Sequence, residues 1–587
     1  MSSHRRSLSG LVLGGSVIAA AALLAVSSAG CSAAGPKAST EGTGGTGGST
    51  SQGATGGTGG DDTNIGGIGG IGQGGGTPGG GVPQTCAEAL AQQSYIGCEY
   101  WPTISSNSQL FDGFEFAIVA ANPTGSPSTV TVTRGDQQVS EIEVAPGGLQ
   151  TIKLPWVMEL KQVDANGDGS GVVSAAVAKG AYKVTSSVPI TLYQFNPLEF
   201  ELNPPPADCP VLGDGCYSYS NDASLLLPTT ALRTDYFVMA APTLHIDAGG
   251  GFFSQWINLP GSTTITATQD GTKVTVQSTA YVKAGNGIPS MSPGSQSTFD
   301  MNAGDVLLLV TQSPPAQQTP QPGKPCVTTP NGIIACPTGP EYDLTGSRIT
   351  SDKPISVLGG HDCTFMPYSN FACDHIEESM FPVETLGQDL IVTAPHAVSA
   401  IGSNPGQPDF MFVRVLSAAD GNEITFDPPV HAPVTLDTGK WIEIGPVSQD
   451  FRVLAKNKIS VAQYMVGEDF TGMSVGAGDP ALSVAIPKEQ YRVAYTFLAP
   501  TSYTHNFVNV VAEPGSNVVI DGAVIPDGQF TPIGGAGFGV ARHKIEGGAH
   551  AMSADKNFGI VVYGYGSYTS YMYPGGLNLE TVIIIPE

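Results

Sequence analysis

Two histidines and several carboxylates lie close in sequence to a pair of cysteines, Cys363 and Cys373. A disulfide between these cysteines would hold their Cα atoms about 5.5 Å apart and bring the two flanking segments together. The flanking side chains offer carboxylate oxygens and imidazole nitrogens, which are common ligands of divalent cations. The predicted metal ligands are His361, Asp362, Asp374, His375 and Glu377. A metal-dependent extracellular hydrolase built around this disulfide is therefore one hypothesis for the function.

A structural role is the alternative interpretation of Asp374. Asp222 and Asp479 occupy the same place in two similar segments, and neither has an adjacent histidine. Aspartates in such positions commonly accept hydrogen bonds from nearby backbone amides.

A second group of oxygen donors lies in the segment DANGDGS, which begins at Asp164. Asp164, Asn166 and Asp168 have the spacing of the first three ligands of a calcium loop, and Gly169 follows at the turn position. The twelfth position is Ala175 instead of the usual glutamate. The segment therefore fits either a weak Ca²⁺ site or a hairpin turn. Ca²⁺ is the one cofactor that the sequence suggests.

Tyrosines alternate in the segment VYGYGSYTSYMYPGG near the C-terminus. Such a row can form an aromatic face that binds a sugar or a protein. The predicted ligand-binding residues are Tyr563, Tyr565, Tyr571 and Tyr573. The alternative is that the rings stack across the strands of a terminal hairpin.

Catalytic signatures are lacking elsewhere in the sequence. The segment GMSVG at residues 472–476 fits the esterase pattern G-x-S-x-G, but it has no strand–turn–helix context. Metalloprotease, P-loop and dinucleotide-binding motifs are absent from the sequence. We therefore expect a protein that is not an enzyme.

The composition indicates an exported β protein. The chain has 587 residues, and 50 acidic against 24 basic residues give a net charge of −26. Such a charge is repelled by phosphate backbones, so nucleic acid is not expected as a partner. Charged residues make up 13 % of the chain, whereas there are 77 glycines and 45 prolines. These turn-forming residues disfavour long helices.

The N-terminus has the features of an export signal over residues 1–30. A short basic stretch precedes an apolar run at residues 11–26, and small residues then lead to Cys31. This order resembles a bacterial lipobox, which predicts a lipid on Cys31 and a location at the outer membrane or cell surface. The usual Leu or Val of the lipobox is Ser28 here, so secretion after cleavage near Ala29 is the alternative. Residues 31–82 are rich in Gly, Ser and Thr and predict a disordered linker.

The remaining eight cysteines form four pairs of close neighbours in the sequence. An even number of cysteines in an exported chain indicates disulfides. The leading pairing among the possible ones is Cys86–Cys98, Cys209–Cys216, Cys326–Cys336 and Cys363–Cys373.

The rest of the chain repeats one pattern four times. Strand-like segments that end in Ala-Pro or Ala-Asn-Pro open the repeats at residues 114–123, 235–242, 389–395 and 494–500. Alternating β-branched residues between Gly, Asp and Asn turns predict half-buried strands throughout. We predict an all-β fold of about four sandwich-like modules, at residues 83–210, 211–372, 373–477 and 478–587. A β-propeller with smaller blades is the alternative.

Several long motifs carry a family resemblance. They are SDKPISVLGG, CDHIEESMFPVETLG, KISVAQYMVGEDFTG, GDPALSVAIPKEQY and VVYGYGSYTSYMYPGG. Together they resemble the N-terminal domain family of the IgG Fc-binding protein, over roughly residues 100–580. The resemblance implies an extracellular binding or adhesion module whose partner is a protein or a glycan. It does not imply that this chain binds IgG.

Three functions thus follow from the sequence. The first is a lipid-anchored surface protein that binds or adheres without catalysis, and whose lipid is its only membrane attachment. The second is the metal-dependent hydrolase described above. The third is a structural envelope protein that assembles with copies of itself.

Overall fold

The structure is a computed structural model that describes residues 81–209, 215–249, 255–315, 324–400, 406–470 and 477–582. Nearly all regular structure in these ranges is β, as the sequence predicts. The predicted signal peptide, Cys31 and nearly all of the predicted linker lie outside the described residues.

Helices in the described ranges are short. The α-helices are α1 (Cys86–Gln92) and α2 (Met158–Lys161). Single turns of 3-10 helix lie at Pro340–Tyr342, Val383–Thr385, Val398–Ala400, Glu468–Phe470, Lys488–Gln490 and Asp527–Gln529. Within these ranges, no helix has the length and apolar character needed to cross a membrane.

Four large sheets follow one another along the chain, and each is the core of one β module. The strands of the first part are β1 (Gly97–Tyr100), β2 (Phe116–Ala121), β3 (Ser128–Arg134), β4 (Gln137–Val144), β5 (Leu149–Leu154), β6 (Ala175–Val177), β7 (Lys183–Phe195), β8 (Glu201–Leu202), β9 (Cys216–Tyr217) and β10 (Ala223–Leu226). Strand β6 crosses over and joins the second large sheet, and β8 pairs with β9 alone.

The second part adds a small extra sheet to its large one. Its strands are β11 (Arg233–Phe237), β12 (Leu244–Asp247), β13 (Trp256–Leu259), β14 (Gly261–Ala267), β15 (Thr272–Gln277), β16 (Gln296–Met301), β17 (Val306–Val310), β18 (Val327–Thr328), β19 (Ile334–Cys336), β20 (Arg348–Thr364) and β21 (Asp374–Ser379). Strands β13, β12, β19 and β18 pair in that order as the extra sheet.

The last two parts repeat the large sheet with shorter additions. The third consists of β22 (Gly387–Val392), β23 (Met411–Ser417), β24 (Asn422–Asp427), β25 (Val434–Leu436), β26 (Trp441–Val447), β27 (Phe451–Met465) and β28 (Leu482–Val484). The fourth consists of β29 (Arg492–Ala499), β30 (His505–Ala512), β31 (Val519–Ile520), β32 (Ala523–Val524), β33 (Thr531–Pro532), β34 (Gly539–Ile545), β35 (Gly548–Gly566) and β36 (Thr569–Pro574).

One long strand belongs to both layers of each module. The first half of β7 pairs with β1 and β3, and its second half pairs with β2 and β10. Strands β20, β27 and β35 divide their partners in the same way. Each repeat is therefore a curled, sandwich-like module, and its seven or eight strands do not separate into the small blades of a propeller.

The burial pattern along each strand shows whether one or both of its faces are covered. Strand β24 buries every second residue, so one face packs on the module core and the other meets solvent. Strands β14 and β23 are buried along their whole length, because other parts of the molecule cover both of their faces.

A buried tyrosine marks the bend of the long strand in three modules. The hydroxyl group of Tyr236 donates to the carbonyl of Ile355 at 2.8 Å and accepts from the amide of Arg233 at 2.9 Å. Tyr100 and Tyr495 make the same pair of bonds in the first and fourth modules. Leu390 stands at this place in the third module, where the same register shift occurs without a hydroxyl group.

These tyrosines also correct the predicted start of the first repeat. The sequence pattern places the opening strand at residues 114–123, but those residues include β2, which corresponds to β14, β23 and β30. The strand that corresponds to β11, β22 and β29 is β1, because it carries Tyr100 and pairs with the first half of the long strand.

The last strand of each module lies at the centre of the molecule. Strands β10, β21, β28 and β36 contact one another in a closed ring, so that each module touches its neighbours through this strand. The predicted module boundaries before residues 211, 373 and 478 each precede such a strand, which pairs with the sheet before the boundary.

The four predicted disulfides are all present. They join Cys86 to Cys98, Cys209 to Cys216, Cys326 to Cys336 and Cys363 to Cys373. Each closes a loop of few residues, so these disulfides secure local turns and do not join one module to another.

Candidate functional site

The predicted metal ligands around Cys363 and Cys373 are buried, and each has its own partners. The disulfide holds the two Cα atoms 5.3 Å apart, as expected. Nε2 of His361 lies 3.0 Å from the carbonyl of Pro242, and its Nδ1 accepts from the amide of Cys363 at 3.1 Å. Burial lowers the pKa of His361 to about 3, so this ring is neutral.

Asp362 is directed to the opposite side of strand β20, because neighbouring strand residues alternate faces. Its Oδ1 accepts from the amide of Ser108 at 2.9 Å, and its Oδ2 accepts from the Ser108 hydroxyl group at 2.7 Å. Oδ1 also accepts from Ser106. This carboxylate therefore secures the loop that follows β1.

His375 and Glu377 form a polar cluster with Ser105. Oγ of Ser105 lies 3.3 Å from Nε2 of His375 and donates to Oε2 of Glu377. Oε2 of Glu377 is itself 3.4 Å from the same Nε2. A catalytic triad needs the serine and the carboxylate on different ring nitrogens. Nδ1 of His375 has no partner in the described part of the chain.

Burial and hydrogen bonding act in opposite directions on Glu377. Burial raises its pKa, but the hydrogen bond and charge of His375 lower it, as do bonds from Ser105 and Gln194. The net shift is downward, so Glu377 is ionised and has donors around it. All three side chains of the cluster are fully buried, and the geometry is that of a structural network.

The carboxylate of Asp222 bonds to all the other strands of the central ring. Its Oδ1 accepts from the amide of Met572 at 3.2 Å, and its Oδ2 accepts from the amides of Glu377 and Leu482 at 3.0 Å each. The amide of Ala223 completes a set of four donors. Burial raises the pKa of Asp222, and these backbone bonds oppose the rise.

Asp374 has the matching role in the next module. Its Oδ1 accepts from the amide of Asn221 at 2.6 Å, and its Oδ2 accepts from the Thr569 hydroxyl group at 2.9 Å and from the amide of Ser570 at 3.1 Å. Burial and the nearby charge of Asp479 raise its pKa, which these bonds oppose. Asp374 thus accepts hydrogen bonds from backbone amides, which is the structural role given above as the alternative to metal binding.

The predicted ligands therefore lie in one region without converging on a common point. Within the described ranges, no three His, Cys, Asp or Glu side chains are arranged to hold a metal ion.

The DANGDGS loop is a turn in which Asp164 and Asp168 accept hydrogen bonds from backbone amides. Oδ2 of Asp164 accepts from the amide of Gly169 at 2.5 Å, and Oδ1 accepts from that of Gly171 at 3.1 Å. Asp168 accepts from the amide of Ser170 at 2.8 Å, and Asn166 donates to the hydroxyl group of Ser170. The ammonium group of Lys283 donates to the carbonyl of Ser170 at 2.9 Å. The carboxylates that would bind a cation therefore already accept hydrogen bonds from backbone amides, and the ammonium group of Lys283 lies on a carbonyl of the same loop.

The four tyrosines predicted to bind a ligand are buried. Tyr563, Tyr565, Tyr571 and Tyr573 are at most 4 % exposed. The rings of Tyr571 and Tyr573 stack at a centroid distance of 6.0 Å, and the hydroxyl group of Tyr563 donates to Asn509 at 2.7 Å. These four rings therefore do not form an exposed aromatic face, because neighbouring modules cover both sides of the hairpin.

Exposed aromatic rings occur at the tip of that hairpin instead. Tyr568 lies in the turn between β35 and β36, and its side chain is 37 % exposed. Its ring meets that of Tyr219 edge to face at 6.2 Å, and Tyr219 lies 5.5 Å from Tyr217. Tyr219 and Tyr568 have φ angles of 48° and 53°. Such angles are unfavourable for bulky residues and hold both rings at this corner.

Carboxylates and two further rings extend this corner. Phe410, which is 40 % exposed, packs against Phe470 at 5.5 Å. Asp409 and Asp469 each directly precede one of these phenylalanines. The charge of Asp469 reaches Tyr568, whose pKa is raised first by burial and then by nearby carboxylates. We call this set the aromatic–acidic surface: Tyr217, Tyr219, Tyr568, Asp409, Asp469, Phe410 and Phe470.

Sequence reasoning missed most of this surface. The alternating tyrosines of CYSYS, which begin after Cys216, were the available signal. The contact between Tyr219 and Tyr568 joins residues far apart in the sequence, so local spacing could not predict it.

A small groove on the fourth module is a weaker candidate. It has a volume of about 120 Å³ and is lined mainly by Pro514, Phe530 and Phe538, with Glu513 and Asp527 at its border. This volume holds one small side chain.

A family model described as IgGFc binding protein matches residues 222–564. No curated protein matches the chain significantly. The matched range contains β10, β21 and β28 of the central ring and the two aspartates and two phenylalanines of the aromatic–acidic surface, whereas its three tyrosines lie outside.

Proposed function

Because the chain belongs to the IgGFc binding protein family, we propose that it is a non-enzymatic adhesion protein at the cell surface. A lipid on Cys31 holds it at the outer membrane or cell surface, and the glycine-rich segment separates the β modules from the membrane. Its partner is an extracellular protein or a glycan.

The family match over residues 222–564 is the observation that carries this proposal. The fate of the buried polar side chains supports it. Asp362 and Asp374, two of the predicted metal ligands, accept hydrogen bonds from backbone amides and hydroxyl groups of other modules. These bonds fix the modules relative to one another, so the assembly offers a partner a surface of constant shape.

Binding to arrays tests the proposal. The purified full-length protein, with its disulfides oxidised, is applied to glycan and extracellular-protein arrays that include immunoglobulin Fc. We expect saturable binding to at least one class, and we expect reduction of the disulfides to weaken it. Absence of binding on both arrays, together with hydrolysis of an array component, would favour the hydrolase. Absence of binding with concentration-dependent oligomers would favour the self-assembling envelope protein.

Metabolic labelling tests the anchor separately. Cells that express the chain are grown with a radiolabelled fatty acid, and we expect label on the wild-type protein and none on Cys31→Ser. An unlabelled wild-type protein found in the medium would show secretion instead of anchoring.

A further inference from the structure

The aromatic–acidic surface has two chemical parts next to each other. The rings of Tyr219 and Tyr568 meet edge to face, at an interplanar angle of 81°. Phe410 and Phe470 form a second edge-to-face pair, at 81°, and Phe470 directly follows Asp469 in the chain. The face of an aromatic ring is electron-rich, so an exposed ring such as that of Tyr568 can attract a cation.

The carboxylates of this surface lack cationic partners. No cationic side chain of the described ranges pairs with Asp409 or Asp469, and Oδ2 of Asp469 has no hydrogen-bond partner. Both side chains are partly withdrawn from water, which raises the pKa of each. A bound cation would compensate for this loss of hydration.

A neutral sugar would use the rings but would leave the carboxylates without a counter-charge. A basic side chain uses both parts, since its charge pairs with a carboxylate and also lies against a ring face. The net charge of −26 also steers basic partners toward the molecule.

We propose that the aromatic–acidic surface binds an exposed arginine or lysine side chain of an extracellular protein. This proposal rests on the proposed function. The exposed ring of Tyr568, packed against Tyr219, receives the cation on its face, and Asp469 supplies the counter-charge. Phe410 and Phe470 contact apolar atoms that flank the basic side chain.

The probe is a fluorescent octa-arginine peptide, whose binding to the purified full-length protein is followed by anisotropy at about 150 mM salt, where long-range attraction is screened. An octa-glutamate peptide is the charge-reversed control, and chitohexaose is the neutral sugar probe. Melting temperatures are measured for every variant.

Two variants remove the two parts of the surface. Tyr568→Asn removes the ring, and Asn tolerates a positive φ. Asp469→Asn removes the charge alone. We expect each to weaken octa-arginine binding by about five- to thirtyfold. The matched controls are Tyr281→Asn, which removes another exposed ring, and Asp136→Asn, which removes an equal charge elsewhere. Both controls should bind as the wild type does.

Equal loss in Asp136→Asn and Asp469→Asn would mean that octa-arginine binds through net charge, and would overturn the proposal. Binding of chitohexaose that Tyr568→Asn abolishes and Asp469→Asn preserves would identify a sugar site instead. If an array partner is found but binds both surface variants normally, the proposed function stands and this assignment of its site is wrong.

Discussion

The backbone amide of Leu482 donates to Oδ2 of Asp222 at 3.0 Å, across 260 residues of sequence. Asp222 precedes the last strand of the first module, whereas Leu482 begins the last strand of the third. The same carboxylate accepts from strands β21 and β36, so one side chain joins all four modules. The modules are thus parts of one assembly, joined at its centre by buried hydrogen bonds to one carboxyl group.

Replacing Asp222 tests how much these central hydrogen bonds contribute to the free energy of unfolding. Asp222→Ala leaves three buried amides of other modules without an acceptor, which we expect to reduce the free energy of unfolding by about 3–5 kcal/mol. Urea unfolding of the full-length protein measures the change. Asp136→Asn, on an exposed side chain, is the control and should change stability by less than about 0.5 kcal/mol. An equally small effect of Asp222→Ala would mean that packing alone holds the ring.

The hydroxyl groups at the strand bends make a second prediction. Tyr236→Phe keeps the ring but leaves the amide of Arg233 and the carbonyl of Ile355 without this partner, at a cost of about 1–3 kcal/mol. Urea unfolding again gives the value. Tyr281→Phe, in which an exposed hydroxyl group is removed, should be neutral. If both variants unfold alike, water replaces the hydroxyl group at the bend.

Local features of the fold could be predicted from the sequence. Alternating residues such as those of β24 identify strands, because one face of each meets the core. The disulfide pairs were predictable since each joins close neighbours, as Cys209 and Cys216 do. The resemblance to the family was likewise visible in the motifs and is confirmed by the match.

Long-range relationships could not be predicted in this way. His361 and Asp362 seemed to belong to one ligand set, but alternation along β20 directs them to different partners. Tyr568 and Tyr571 lie in the same segment of alternating tyrosines, and their local spacing does not distinguish them. Only the packing of neighbouring modules buries Tyr571 and leaves Tyr568 at a turn.

Removal of divalent cations should leave the protein's stability unchanged. The carboxylate of Asp164 already accepts from two amides, and the ammonium group of Lys283 lies on a loop carbonyl. We therefore expect the same melting temperature with EDTA as with millimolar Ca²⁺. A rise of several degrees in Ca²⁺ that Asp168→Asn abolishes would contradict this and restore the predicted calcium site.

The buried imidazole of His361 predicts a pH dependence of stability. Burial lowers its pKa to about 3, whereas the ring in the unfolded chain titrates near its ordinary value of 6.5. As the pH falls below 6.5, the unfolded state binds a proton that the folded state does not, so this residue's contribution decreases toward pH 3. The loss reaches about 3 kcal/mol at a pH of about 4.5.

His361→Gln isolates this contribution. Glutamine can donate to the carbonyl of Pro242 and accept from the amide of Cys363, but it does not titrate. Urea unfolding of both proteins between about pH 7 and pH 4.5 cancels the effects of all other groups. We expect the stability of the wild type to fall relative to that of the variant by about 3 kcal/mol over this range. A constant difference would show that the ring accepts a proton in the folded state, which its bond to the amide of Cys363 opposes.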